Sequence, residues 1–344
     1  TAPKMTWLRE NMTSKGVVTT TDTWILHRLT GEFVTDVSTA SRSLLFNIDE
    51  VAWDPRLIEI FGLQDEEFPR AAACDEIVGT TTVFGGELPV GGLIVDQQAA
   101  LFAEACIERG QGKCTYGTGA YILVNMGESA PRFDNGLTTS VAWQLRGHTM
   151  YCSDGQVYTT GSAVRWLQEL GIIGEASEMD RIAAEDSAGV LCAPSFAGLA
   201  APWWKPDAGA FLLGLKLSTG PGEIVRAMLD GIACQVAELS DLTLPELGSH
   251  LAKLRVDGGL TQSSTLMQAQ ADMLQTPVEV YPSPHATALG TAACMKLALN
   301  PDLSMEEGPY EWTAKASYYP AQDESEVREY RARWRNAVEA TMEV

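Results

Sequence analysis

Basic side chains are scarce in this chain. Lys and Arg number 24 against 45 Asp and Glu, leaving a formal net charge of −21 over 344 residues. No cluster of cations marks a phosphate-binding surface, which excludes nucleic acid and anionic membrane as partners. Long apolar runs are lacking as well. The longest uncharged stretch, Ser187–Trp204, is interrupted by Pro194, Pro202 and several glycines, and would span a bilayer poorly. Cysteine offers no framework of bridges: Cys74, Cys106, Cys114, Cys152, Cys192, Cys234 and Cys294 are odd in number, scattered and without a CxxC pair. That usage predicts reduced, buried thiols in a cytoplasmic protein. The histidines, His27, His148, His250 and His285, share no ligand spacing, so no zinc site is expected. No secretory signal heads the chain, which opens at Thr1 in mid-pattern.

What is present is an ordinary globular composition, 45% hydrophobic and 20% charged. The length suits about two domains of roughly 150 residues. Thr6–Asn11 reads as the end of a helix, and Asp22–Thr30 as a short helix stopped by Gly31. Leu88–Val95 predicts a buried strand, followed after Asp96 by helical spacing as far as Gly110. Lys113–Tyr116 and Ala120–Met126 flank a tight turn, and Leu137–Gln144 with Met150–Tyr158 form a second hairpin. Helices are expected at Gly161–Leu170, Glu223–Leu239, Ser263–Leu274 and Ala286–Leu299, with strands at Leu254–Val256 and Val278–Tyr281. Asn300–Gln322 reads as irregular, and a last helix starts at an Asp323-x-x-Glu326 capping box. Alternating strands and helices indicate an α/β protein, with a change of texture near residue 105.

Three glycine turns stand at strand or helix ends: Gly117-Thr118-Gly119, Gly161 and Gly258-Gly259. Glycine lets backbone approach a phosphate closely, and helix N-termini offer free N–H donors. Each turn alone is ordinary turn chemistry; three in one region point toward a nucleotide. Asp96 lies where an apolar strand meets a helix, suited either to an N-cap or to a catalytic carboxylate at a strand end. Gln97 beside it is a first-turn polar residue or a partner for a hydroxyl. Trp203-Trp204, between Pro202 and Pro206, suits a packed loop better than a stacking platform.

These residues resemble a known family. Gly91–Phe102 (GGLIVDQQAALF), Thr35–Ile48 (TDVSTASRSLLFNI) and Thr115–Gly119 (TYGTG) are similar to motifs of the FGGY carbohydrate kinases, most closely the glycerol kinases. Ala210–Leu215 (AFLLGL), then seven residues, then Glu223–Asp230 (EIVRAMLD) resembles the second signature of that family. Arg255–Gly259 (RVDGG) resembles its adenosine-binding turn. The matches run in family order from the first residues to about residue 300.

The resemblance implies an actin/hexokinase-like ATPase fold of ribonuclease H type, with two α/β domains closing on a cleft. Residues 1–104 would be the remainder of the substrate domain and 105–344 the nucleotide domain. It implies transfer of the γ-phosphoryl of ATP, with Mg²⁺, to a polyol or sugar, most closely glycerol. Asp96 would be the general base, Asp96 and Gln97 would hold substrate hydroxyls, and Tyr121 would line the pocket where glycerol kinases usually carry Phe. Thr118 and Gly119 would form a phosphate turn. Gly161 and Arg165 would touch the nucleotide, and Gly259 and Ser263 would border adenosine and ribose. Arg165 stands where glycerol kinases often carry Gln, and Ser263 where they often carry Asn. The family's Asp-x-Gly-Thr hairpin, Arg-Glu pair and glycerol-gripping Trp do not precede Thr1, so the resemblance implies an incomplete first domain. Runner-up readings are a kinase for another polyol or ketose (xylulose, ribulose, an erythritol-like substrate) and a truncated, non-catalytic nucleotide-binding chain. A homo-oligomer is compatible with either.

Overall fold

The structure is a computed structural model and describes residues 1–342. Its largest element is a seven-stranded sheet. Two strands joined by the Gly117-Thr118-Gly119 turn form its centre, Gly112–Tyr116 (β1) and Ala120–Gly127 (β2). The second expected hairpin, Thr138–Leu145 (β3) and His148–Val157 (β4), adds to β2 through β4. On the other side of β1, Leu254–Asp257 (β5) and Val278–Val280 (β6) pair in parallel, and Ala316–Tyr318 (β7) closes the edge antiparallel. The order is therefore β7-β6-β5-β1-β2-β4-β3. Antiparallel strands on one side of β1 and parallel strands that return through helices on the other make the ribonuclease H-like arrangement that the family resemblance implies.

Six helices pack on this sheet: Asp96–Ala103 (α1), Gly161–Glu169 (α2), Pro221–Asp241 (α3), Ser264–Leu274 (α4), Ala286–Leu299 (α5) and Glu324–Thr341 (α6). Paired residues on neighbouring strands share a face, so the register sorts the side chains. Cys114, Ile122 and Val256 pair across one face and join Met228, Ile232, Val236, Leu266 and Trp334 of α3, α4 and α6 in the main core. Each fully buried large side chain there contributes about 1.5–3 kcal/mol of transfer free energy. Trp334 also donates from Nε1 to Cys192 O at 2.7 Å. The opposite face lies beneath α1 and α5, where Phe102, Leu123, Trp143 and Leu297 form a second cluster. α1 and α5 cross closely: a Cβ on Gly290 would lie 1.9 Å from Ala99 O.

The first hundred residues contain only short pairs of strands, among them Val34–Asp36 parallel to Arg70–Ala72. Their apolar side chains gather in small groups, one around Met5, Leu45 and Leu63 and another around Leu26, Val34 and Val78. Asp36 caps the short helix Val37–Ser41 by accepting from Ser38 N and Thr39 N at 2.8 and 3.1 Å. The helix Thr21–Thr30 ends at Gly31 with φ +83°, as the sequence indicates.

Several expectations need correction. Leu88–Val95 is not a buried strand: pairing covers Leu88–Gly91 alone, in a largely exposed hairpin with Ile77–Thr81. The chain turns at Gly92, φ +71°, where a Cβ would meet Met295 N at 2.7 Å. The helix expected to reach Gly110 stops at Ala103, and Ala105 takes the left-handed conformation. Asn300–Gln322 contains one strand, β7. Asp323 caps α6 through Ser325 N at 2.8 Å, but among the described residues Glu326 returns no bond to Asp323 N, so the capping box is half formed. All seven cysteines are free and buried, and burial pushes the thiols of Cys106 and Cys114 up to about 12. Among the described residues no helix is long and apolar enough to cross a membrane.

Candidate active site

Two polar rows cross the sheet face beneath α1. Asp154, Leu123, Lys113, Arg255 and Glu279 are paired in sequence across β4, β2, β1, β5 and β6. One step toward the C-terminal end of β1, Gln156, Tyr121, Thr115 and Asp257 form the next row. Beyond it lies the Gly117-Thr118-Gly119 turn. The polar members of these rows must find partners where they are buried, even as Leu123 packs into the cluster beneath α1 and α5.

α1 begins directly over these rows. Asp96 is not the N-cap, which is Val95. It is the first helical residue, exposed, with Oδ1 accepting from Gln97 N at 2.8 Å. Gln97 is half-buried and accepts at Oε1 from Lys113 Nζ, which also donates to Thr115 Oγ1 at 2.6 Å. Tyr121 stands half-buried in the neighbouring position across from Thr115. Arg42, from the first hundred residues, donates to Asp154 Oδ2 and, at 3.0 Å, to Ser140 Oγ. Burial would lower the Arg42 pKa, but the Asp154 carboxylate, with help from Asp96, raises it above its ordinary value. Asp96 and Gln97 thus open α1 over Lys113, and Tyr121 lies in the next row along the sheet.

The glycine turns meet at the end of β1. Gly161 N donates to Gly117 O at 3.1 Å, and Thr160 N and Ser162 N donate to Thr118 O at 2.9 and 3.2 Å. A Cβ on Gly161 would lie 2.6 Å from Gly117 O, and one on Gly258 (φ +97°) would lie 2.3 Å from Tyr116 O. These glycines allow three backbone segments to close on one another. The first N–H groups of α2 therefore serve the turn and are not free for a ligand. Thr118 is exposed, and among the described residues Thr118 N and Gly119 N have no hydrogen-bond partner. Arg165 is exposed one turn into α2. Gly259 is exposed with open space around its Cα. Ser263 is buried and already engaged: it caps α4 through Leu266 N at 3.1 Å and donates to Asp180 Oδ1 at 2.5 Å. Its hydroxyl is directed into the fold.

Behind α1 lies a group that sequence reasoning missed. The Glu104 carboxylate is fully buried, and among the described residues neither oxygen has a hydrogen-bond partner. Burial, reinforced by the charge of Asp257, pushes its pKa well above the ordinary glutamate value, with Lys113 and Arg255 opposing. Arg255 donates to Glu104 O at 2.7 Å and lies over the Trp312 ring. A Lys and a Thr two positions apart in an otherwise apolar strand were the available signal for a polar face. Among the described residues no cluster of three His, Cys, Asp or Glu could hold a metal.

Comparison with known proteins agrees with this architecture. Residues 1–103 match the FGGY family of carbohydrate kinases, N-terminal domain, and residues 112–299 match its C-terminal domain. The glycerol kinase of Thermococcus gammatolerans is 39% identical over 354 residues, covering 99% of this chain and 71% of that protein. The glycerol kinase of Thermus brockianus is 37% identical over 352 residues, with 98% and 71% covered. The crystal structure of Plasmodium falciparum glycerol kinase with ADP superposes with a TM-score of 0.91 at 31% identity, covering 99% of this chain and 71% of that one. A xylulose kinase from Rhodospirillum rubrum shares the fold at a TM-score of 0.83 and 22% identity, over 99% of this chain and 72% of that one. In fold, in motif order and in sequence, the chain belongs to the FGGY family of carbohydrate kinases, which are phosphotransferase enzymes.

Proposed function

We propose that the protein transfers the γ-phosphoryl group of ATP to a primary hydroxyl of a small polyol, glycerol before any other. The observation that carries this reading is the position of the exposed Asp96 carboxylate and Gln97 over the strand that runs into the Gly117-Thr118-Gly119 turn. Relatives of 37–39% identity named glycerol kinase support the choice of glycerol. In this account residues 1–104, which end just after α1, carry the substrate side and 105–344 the nucleotide side.

The substrate hydroxyl donates to the Asp96 carboxylate. As its oxygen forms the new P–O bond, the bond from the γ-phosphorus to the β–γ bridging oxygen breaks, ADP leaves, and the proton passes to Asp96. A positioned base of this kind supplies about 10²–10⁴-fold. The rest of the acceleration comes from positioning and charge stabilisation. The free N–H groups of Thr118 and Gly119 suit phosphate oxygens. Gly161 shapes this turn, Arg165 offers an exposed cation beside it, and Gly259 leaves room for the nucleoside. Ser263, whose hydroxyl fixes the start of α4 through Leu266 N and Asp180, borders the space assigned to the ribose. Mg²⁺ would arrive as part of the Mg·ATP substrate, its charge offsetting that of the phosphates beside the exposed Asp96 carboxylate.

The test is a panel of polyols and ketoses assayed for ADP release from ATP. Glycerol is expected to give the highest kcat/KM. A higher value for xylulose or ribulose would move the substrate assignment, and no acceptor-dependent release from any of them would contradict the kinase reading of this chain.

A further inference from the structure

Lys113 is entirely buried, yet among the described residues no carboxylate lies within ion-pair distance of its ammonium. Burying an ammonium is costly unless it is compensated, and its bonds here go to neutral groups: Gln97 Oε1 and, at 2.6 Å, Thr115 Oγ1. Thr115 sits two residues along β1 on the same face and holds the ammonium beneath the start of α1.

We infer that Lys113 is a positioning residue that holds the Gln97 carboxamide one way round. An ammonium can only donate, so it takes the amide oxygen and turns Nε2 away from itself. Among the described residues Gln97 Nε2 has no partner. Asp96 and Gln97 then present opposite polarities side by side: a carboxylate that accepts from one hydroxyl and an NH₂ that donates to the oxygen of the next. Such a pair selects a vicinal diol, with the reacting hydroxyl on Asp96 and its neighbour on Gln97. Without Lys113 the amide turns freely, and half of its orientations set an acceptor against that second oxygen.

This inference rests on the reading of Gln97 as a substrate contact, and a double-mutant cycle separates the two. The measurement is the glycerol dissociation constant by calorimetry with ADP present, with ADP affinity as the control and KM and kcat as companions. Lys113→Met is expected to weaken glycerol about five- to tenfold, the size of one well-placed hydrogen bond. ADP affinity stays unchanged, and KM rises more than kcat falls. Gln97→Ala is expected to weaken glycerol similarly, and Lys113→Met added to it should cost nothing further. Equal losses from Lys113→Met in both backgrounds would overturn the inference, since the lysine would then act independently of Gln97. Unchanged glycerol affinity in Gln97→Ala would instead remove Gln97 as a substrate contact. Should Lys113→Met fail to fold, Gln97→Glu keeps a partner for the ammonium while deleting the donor. It is expected to fold, to bind ADP normally and to lose glycerol affinity, and wild-type glycerol affinity in that variant would also overturn the inference.

Discussion

Arg42, at the end of the helix Val37–Ser41, donates to Asp154 in β4, a residue 112 positions away in sequence. Asp154 is nearly buried, and Ser140 accepts a second bond from the same guanidinium nitrogen at 3.0 Å. The bond ties the first hundred residues to the sheet on the face where Asp96 stands. Arg42→Ala is expected to lower stability by about 1 kcal/mol, as for a charge-assisted bond with one partner partly exposed. It should also weaken polyol binding more than ADP binding. Equal losses for both ligands would place the effect in global stability, and calorimetry on the variant decides.

Asp96→Asn keeps the shape of the helix start but removes the proton acceptor. Turnover is expected to fall by at least about 10²-fold while ADP affinity holds. Steady-state kinetics with ADP titration measures both. Near-wild-type turnover would remove Asp96 as the base.

The glycines separate fold from function. A Cβ on Gly161 would press on Gly117 O at 2.6 Å, whereas one on Gly259 meets nothing within 4 Å. Gly161→Ala should therefore cost about 1–3 kcal/mol in unfolding experiments. Gly259→Val should change stability little, yet weaken ADP by filling the space assigned to the nucleoside. Unchanged ADP affinity in Gly259→Val would count against that assignment.

Glu104 gives a pH dependence of definite sign. Its carboxyl is raised above the ordinary 4.5 by burial first and by Asp257 second. The folded state therefore holds the proton more tightly than the unfolded chain. The stability this confers is fully present below 4.5 and is lost as pH rises toward and through the raised value. Glu104→Gln removes that loss, so its melting temperature should exceed that of the wild type at neutral pH, with the gap closing toward pH 4.5. A gap that stays constant with pH would mean that Glu104 does not titrate as described.

Much of this molecule is legible in local pattern. The β1–β2 hairpin follows from two apolar runs either side of a glycine turn, and α3 from an apolar stripe at helical spacing that its partners merely cover. The glycine turns and Asp96 were visible because they punctuate element ends, Asp96 opening α1 although the strand before it stops at Gly91. What local pattern hides is imposed from a distance. Gly92 turns the chain because α5 lies against it, and Ala105 ends α1 early without a glycine to announce it. Ser263 looks like a free polar group until Asp180, far away in sequence, accepts a hydrogen bond from its hydroxyl. Lys113 reads as one polar residue in a strand until α1 is laid over it and Gln97 meets the ammonium.

The most direct test of the central claim follows the phosphorus itself. Incubation of the protein with Mg·ATP and glycerol, monitored by ³¹P NMR, is expected to show the γ-phosphate signal replaced by a phosphomonoester of glycerol and by ADP in equal amounts, with Asp96→Asn producing neither. Inorganic phosphate in place of the ester, or ester formation undiminished in Asp96→Asn, would contradict the account.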